Sequence, residues 1–201
     1  MREDSPEIAL LQFNLRTFGA SWLETMLSLP IRKILSRKAS VETDPSRLTP
    51  YDKDTLKRNL DSLLHCASSI INAFSPSMVK DIPSQIINSC QIIHETTNKK
   101  FPDAHYRALV SYLFLRFICP AISAPEKYNI VKKGSVSRDA RRKLILVAKV
   151  IQSVVNNAPC NESYMSKVDD FAREKFPQLD LFFSAILKVR HCFLVSDSSV
   201  P

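Results

Sequence analysis

Apolar side chains recur every three or four residues along two long stretches of this sequence, and this period constrains the fold more than any other feature. The first stretch, residues 53–74, carries a stripe made of Leu56, Leu60, Leu63, Ala67, Ile70 and Phe74. The second begins after Ser137 and carries a stripe made of Leu144, Val147, Ile151 and Val154. Spacing of this kind places the members of a stripe on one face of an α-helix. Because no stretch alternates at period two between turn residues, we predict an all-α protein built as a helical bundle.

The same pattern predicts the remaining helices and the connections between them. We expect the hydroxyl oxygen of Ser137 to cap the second striped helix. Further helices are predicted at residues 7–29, 30–37, 79–97, 104–118 and 178–190, with Pro30 opening the second of these. Connections with polar residues and proline fall at 39–50 and 120–134. The 201 residues suit a single domain, which we place at 1–190, followed by a polar C-terminal tail at 191–201.

The composition argues against several classes of function. The chain has only two glycines, so it lacks a glycine-rich loop that could hold a nucleotide phosphate. Its four histidines lie far apart in the sequence, and we expect no metal site. Five scattered cysteines without a C-x-x-C pair indicate free thiols and a cytoplasmic location. No apolar run reaches the roughly 18 residues that span a bilayer, so we expect no direct membrane insertion.

Positive charge is concentrated in one part of the chain. Of a formal net charge of +8, residues 132–149 contribute +6, from seven Lys and Arg against one Asp. A solvated helix face is one interpretation, and an acidic protein partner is another. A nucleic-acid ligand is the third, although aromatic residues do not alternate with the basic ones and no recognised DNA- or RNA-binding signature is present.

Arg116 is the only charged residue in the apolar run "LVSYLFLRFIC" at 109–119. Burying a guanidinium without acceptors costs several kcal/mol, so the fold must supply partners for its five donors. Pro120 lacks the N–H that would bond the carbonyl of Arg116, so we expect the helix to stop or kink there. Two roles for the arginine remain open. It forms an ion pair with a carboxylate, or it binds the backbone carbonyls of another loop and fixes the shape of that loop.

The segment "FLRFICPAI" at 114–122 resembles the signature of Ras GTPase-activating domains, F-L-R-x-x-[N/C]-P-A-I. Four further segments resemble the neurofibromin branch of that family, in the same order and at similar spacings. They are "FGASWL" at 18–23, "VETDPSRLTP" at 41–50, "KFP" at 100–102 and "LVAKVIQSVVNN" at 146–157. The resemblance extends from Arg2 to about Leu187. It implies that helices which precede this region in the family lie outside this sequence.

The resemblance implies an activity exerted on another protein. Domains of this family insert an arginine finger into the nucleotide site of a GTP-bound Ras-type small GTPase and stimulate GTP hydrolysis, which ends Ras signalling. The GTPase supplies the phosphate-binding loop, the Mg²⁺ and the glutamine that orients water. The chain itself would then be an activator rather than an enzyme, with no cofactor of its own. Domains outside this sequence would recruit it to the inner membrane surface.

The resemblance also assigns roles to individual residues. Arg2 is expected to be the arginine finger, because it lies seventeen residues before Gly19, as in the neurofibromin branch, although Met1 stands where that branch has phenylalanine. Arg116 is expected to hold the finger loop by its carbonyls. The residues expected to contact the GTPase are Leu115, Lys149, Gln152 and Asn156.

Two other functions remain open at this stage. A chain with the GTPase-binding groove but without an effective Arg2 would be a non-catalytic binding module or scaffold. A chain that used only its positive charge would be a basic helical nucleic-acid-binding domain, and steep salt dependence of duplex binding would identify it.

Overall fold

A computed structural model describes residues 5–48, 52–102, 106–157 and 166–189, and these residues form a helical bundle with no strand among them. Four of its long helices are α1 (Pro6–Ser36), α2 (Lys53–Ile71), α3 (Ser84–Lys100) and α5 (Arg138–Asn156). Three continuous segments, Arg107–Leu109, Val110–Ile118 and Cys119–Ser123, together make α4, and Ser166–Lys188 is α6. Short 3₁₀ turns occur at Pro45–Arg47, Pro76–Asp81 and Pro125–Tyr128. The prediction of an all-α fold is confirmed.

Side-chain caps start three of the long helices. The hydroxyl of Ser137 accepts the backbone N–H of Ala140, which confirms the predicted cap of α5. Asp52 accepts two backbone N–H groups at the start of α2, and Ser5 accepts one at the start of α1. Each of these bonds satisfies a donor that the first turn of a helix leaves without a partner.

The apolar stripes that predicted α2 and α5 do face the core. All members of the α5 stripe are buried, and in α2 only Leu56, at the N-terminal end of the stripe, is half-buried. The two helices pack against each other and against α6. Helix α4 lies against α1 and α5, and the ring of Phe114 contacts the rings of Phe74 and Phe183, 5.2 and 5.7 Å away between centroids. α4 is therefore a central element of the core.

Prolines break the helices less than the sequence predicted. Residues 7–29 and 30–37 are one helix, because α1 runs through Pro30. A proline removes a single backbone hydrogen bond, and the buried side chains of Leu27, Ile31 and Ile34 keep the chain packed on both sides of it. Pro177 likewise lies inside α6, which begins at Ser166 rather than at the predicted residue 178. The helix predicted at 79–97 occupies Ser84–Lys100, after a 3₁₀ turn.

The helix that carries Arg116 does not stop at Pro120 and instead continues to Ser123. Its middle part, Val110–Ile118, is a π-helix, in which the N–H of Cys119 bonds the carbonyl of Phe114, five residues earlier. In a ladder of that spacing the carbonyl of Arg116 faces residue 121 rather than Pro120. The π-helical turns therefore let the chain pass the proline without the break that an α-helix would need.

None of the described helices is both long enough and apolar enough to cross a membrane.

Candidate functional site

Arg116 lies on the π-helical part of α4 and is half-buried rather than buried. Its Nη1 donates to the backbone carbonyl of Ser111 at 3.0 Å and also to the Ser111 hydroxyl. These acceptors lie five residues earlier, which is the hydrogen-bond spacing of a π-helix. The fold thus supplies acceptors for Nη1 of the guanidinium. A role of Arg116 in holding another loop stays a prediction, because the residues of the expected finger loop lie outside the described part of the chain.

Arg2 lies outside the described residues, which begin at Ser5. Its predicted role as arginine finger is therefore not tested by the geometry. Leu115 is half-buried beside Arg116 and packs against the core, so the structure gives it a packing role at least.

Lys149, Gln152 and Asn156 are all exposed and lie on one face of α5. The same face continues toward the N-terminus through Ile145, whose side chain is 43% exposed, and Arg142. These five residues follow each other at steps of three and four and define what we call the α5 face. The sequence analysis did not place Ile145 or Arg142 on this face, although extending the same spacing backward from Lys149 would have found both.

Gln152 links the α5 face to the end of α4. Its side chain hydrogen-bonds to the thiol of Cys119, which stands directly before Pro120. Burial raises the pKa of Cys119 to about 12, and the hydrogen bond with Gln152 offsets only part of this effect. The thiol is therefore neutral near pH 7 and is not a nucleophile. The end of α4 also packs directly against α5.

Arg142 fastens the connection between α1 and α2 to one edge of the α5 face. Its Nε and Nη2 donate to the two carboxylate oxygens of Glu42, each at 2.9 Å. The same carboxylate accepts the backbone N–H groups of Thr43 and Asp44 at 3.1 Å. Burial alone would raise the pKa of Glu42, but the hydrogen bonds from Arg142 and the backbone outweigh it and leave this pKa below its ordinary value. Glu42 is therefore ionised at neutral pH and ties residues 41–48 to α5.

Arg141 fastens the opposite edge. Its Nη1 donates to the carbonyl of Ser123 at the end of α4, at 3.1 Å, and its Nη2 forms an ion pair with Glu126. The hydrogen bond from Arg141 lowers the pKa of Glu126. Two of the seven basic residues between 132 and 149 are thus paired with carboxylates of the same chain. The positive cluster is partly structural, and it presents less net charge to a partner than the sequence indicated.

A cleft of about 670 Å³ opens on the other side of the signature segment, between α1 and the turn that follows α4. Phe117 and Pro120 form part of its wall. The guanidinium of Arg16 lies over the ring of Tyr128, 5.9 Å from its centroid, at the same cleft. Sequence reasoning gave no signal for this pairing, because the two residues are more than a hundred positions apart. Among the described residues no group of three or more His, Cys, Asp or Glu side chains is arranged to hold a metal ion.

The chain is similar to known proteins over more than half of its length. The family described as "GTPase-activator protein for Ras-like GTPase" matches residues 49–156, which is more than half of the chain. The human "Disabled homolog 2-interacting protein" is 28% identical over 190 residues, which cover 92% of this chain and 15% of that protein. "Inhibitory regulator protein IRA2" of Saccharomyces cerevisiae is 30% identical over 158 residues, 79% of this chain and 5% of that protein. "Neurofibromin-A" of Dictyostelium discoideum is 27% identical over 189 residues, 86% of this chain and 20% of that protein. The chain therefore spans a fifth or less of the length of these relatives.

Proposed function

Because the chain belongs to the family of GTPase-activator proteins for Ras-like GTPases, we propose that it stimulates the hydrolysis of GTP bound to a Ras-type small GTPase. The partner binds in its GTP-bound state and holds both the GTP and the Mg²⁺, so the chain needs no cofactor of its own. Arg2 acts in trans as the arginine finger. The observation that carries this proposal is the position of Arg116. It lies on the π-helical part of α4, close to the end of that helix, and this end contacts the α5 face.

The chain contributes electrostatic stabilisation rather than a nucleophile. In the transition state of phosphoryl transfer, negative charge spreads over the oxygens of the γ-phosphoryl group and the leaving oxygen. A guanidinium placed there stabilises the transition state more than the bound GTP, and it therefore raises turnover rather than affinity. Arginine suits this role because its planar fork of donors stays charged at every physiological pH.

Arg116 positions the finger rather than touching the nucleotide. Its bonds to Ser111 fix the guanidinium against its own helix. The proposed role of the same planar group is to hold the finger loop by its backbone carbonyls and so to limit the conformations open to Arg2. Ordering the finger before the GTPase arrives removes an entropic cost from the bound state.

The α5 face supplies the binding surface. Ile145 offers an apolar contact, while Lys149, Gln152 and Asn156 offer polar groups along the same line. Leu115 adds an apolar edge from α4. An acidic surface on the GTPase would be drawn to the positive cluster between residues 132 and 149, which speeds encounter more than it strengthens the complex.

Single-turnover release of phosphate from a GTP-loaded Ras-type GTPase, with and without the chain, tests this proposal. We expect faster release that saturates as the concentration of the chain rises. A heat-inactivated sample of the chain is the control. Saturable binding without faster release would identify a non-catalytic binding module instead, and absence of both binding and stimulation across a panel of Ras-type GTPases would contradict the proposal.

A further inference from the structure

An open cleft of about 560 Å³ lies between the segment that follows α1 and the start of α5. The positive side chains on its walls are Lys38, Arg47, Arg138, Arg142 and Lys143. Only two acidic residues, Glu42 and Asp139, line it as well, so five positive charges face two negative ones. Because Arg142 and Glu42 neutralise each other, the remaining excess comes from the other side chains. A cavity with this balance favours an anion.

Ser40 lines this cleft and is exposed. It lies in an irregular segment after the end of α1, and its hydroxyl oxygen accepts the backbone N–H of Glu42 at 3.2 Å. Arg37 and Lys38 precede it at the third and second positions, and Val41 follows it. A pair of basic residues before a serine is a charge pattern that kinases with acidic substrate clefts select.

We propose that Ser40 is phosphorylated by a serine/threonine kinase that selects basic residues, and that the cleft between α1 and α5 binds the resulting phosphate. In the reaction the Ser40 hydroxyl oxygen attacks the γ-phosphorus of ATP. The bond between that phosphorus and the β–γ bridging oxygen breaks, ADP leaves, and the hydroxyl proton passes to the catalytic carboxylate of the kinase. The kinase and ATP supply everything that the transfer needs besides the serine.

The cleft can hold the product because it contains cations that are not engaged in ion pairs. Within the described parts of the chain, Lys38 and Arg138 form no hydrogen bond or ion pair from their side chains. A phosphoserine carries about −1.5 to −2 charges near pH 7 and offers three strong acceptor oxygens. With the pairs Arg142–Glu42 and Arg47–Asp44 set aside, Lys38, Arg138 and Lys143 against Asp139 leave an excess of two positive charges, which matches the charge of the phosphate. A phosphate on Ser40 that binds Arg138 therefore connects the segment after α1 to the first turn of α5.

The acceptor is reached by a local opening of its segment. Ser40 is exposed but Val41 is buried, so a kinase that needs an extended substrate must first release Val41 from the core. Irregular connections open at lower free energy than helices do, so this step is available in the native protein. The bound phosphate then opposes the same opening, and the phosphorylated segment is the more ordered of the two states.

The first test is phosphorylation of the whole chain by a purified kinase of this specificity with MgATP, followed by mapping of the phosphate by mass spectrometry. We expect phosphate on Ser40 that is lost in Ser40→Ala and strongly reduced in Arg37→Ala. Ser135 follows Lys132 and Lys133 at the same spacing, so Ser135→Ala is the matched variant and should retain phosphate on Ser40. Phosphate on Ser135 alone, or on neither serine, would overturn the assignment of the site.

The second test measures the cleft independently of any kinase, in a chain with phosphoserine installed at position 40 during synthesis. Nearby cations favour the dianion, so phosphorus NMR should give a second pKa lower by about half a unit or more than in a free phosphopeptide of residues 34–44. Arg138→Ala should raise this pKa toward the peptide value. The phosphorylated chain should also unfold at a higher temperature than the unmodified chain at pH 7.5. A pKa equal to that of the peptide, unchanged by Arg138→Ala, would show that the cleft does not bind the phosphate.

Discussion

The ring of Phe117 fills the space that a Cβ at position 19 would occupy, since a Cβ built on Gly19 would lie 2.8 Å from Cε1 and 2.9 Å from Cζ of that ring. Contacts this short do not occur between a real Cβ and a ring. The absence of a side chain at Gly19 therefore sets how closely α1 approaches α4. Since Phe117 follows Arg116 directly, this contact also fixes the signature segment relative to the helix that follows Arg2.

Gly19→Ala should destabilise the protein by up to about 2 kcal/mol. Alanine would gain about 1 kcal/mol over glycine in a helix interior, but overpacking a rigid core typically costs about 1–3 kcal/mol, and here the clash is with a buried aromatic ring. Urea unfolding monitored by circular dichroism measures the difference. A smaller side chain at position 117 should relieve the clash. The double variant Gly19→Ala/Phe117→Leu should therefore be destabilised by less than the sum of the two single variants. Strict additivity would show that the contact is not the cause.

Arg116→Lys should retain only part of the GTPase stimulation, and Arg116→Ala should retain almost none. An ammonium keeps the charge but cannot bond Ser111 and a neighbouring loop at once, as the planar fork can. Ser111→Ala is the matched variant, because it removes the hydroxyl acceptor and leaves the backbone carbonyl in place. It should cost about 1 kcal/mol of stability and little activity. Single-turnover phosphate release and urea unfolding of the same samples separate the two effects. Full stimulation by the lysine variant would show that only charge matters at this position.

Lys149→Glu should slow association with a GTP-loaded Ras-type GTPase by about tenfold at low salt without unfolding the domain. The effect should shrink as salt rises, since exposed charges are screened over about 8–10 Å near physiological ionic strength. Lys57→Glu makes the same change of charge at an exposed position on α2 and serves as the control. Stopped-flow association rates for the two variants test whether the α5 face contacts the GTPase. Equal slowing by both would mean that net charge alone acts, and that the α5 face is not the contact surface.

The ion pair between Glu42 and Arg142 should make stability fall at acid pH. The pKa of Glu42 is lowered in the folded protein, so its contribution to stability is present above the unfolded value of about 4.3 and is lost as pH falls through the folded value. Glu42→Gln removes the charge and should lower the free energy of unfolding at pH 7 by about 2 kcal/mol. The variant should then lose less stability than the parent between pH 5 and about pH 3. Parallel curves for both proteins would contradict this account.

The striped helices could be predicted because the spacing of apolar residues that identifies them is local. The stripes of α2 and α5 and the cap at Ser137 are all read within a few turns of one helix, and the structure has each of them. The prolines were misjudged for the opposite reason. The helix continues through Pro30 because side chains on both sides of it are buried, and through Pro120 because the π-helical turns shift the hydrogen-bond spacing. Neither cause can be recognised from the residues next to the proline.

The parts of the site that could not be predicted depend on contacts between distant residues. Arg142 and Glu42 are a hundred positions apart, and nothing near either residue indicates the other. The π-helical turns around Arg116 likewise have no recognised local pattern. The sequence could therefore indicate that Arg116 needs acceptors, but it could not name Ser111 as one of them.

The central claim is that Arg2 acts on the transition state of GTP hydrolysis, and one variant tests it most directly. Arg2→Ala should be compared with the parent and with Arg32→Ala, which removes an arginine from an exposed position on α1. Affinity for a GTPase loaded with a non-hydrolysable GTP analogue and single-turnover phosphate release are measured on the same samples. Arginine fingers in this family raise turnover by about 10³–10⁵-fold. The account predicts that Arg2→Ala binds about as tightly as the parent and loses most of its stimulation, while Arg32→Ala keeps both. Full stimulation by Arg2→Ala would contradict it and place the finger at another residue.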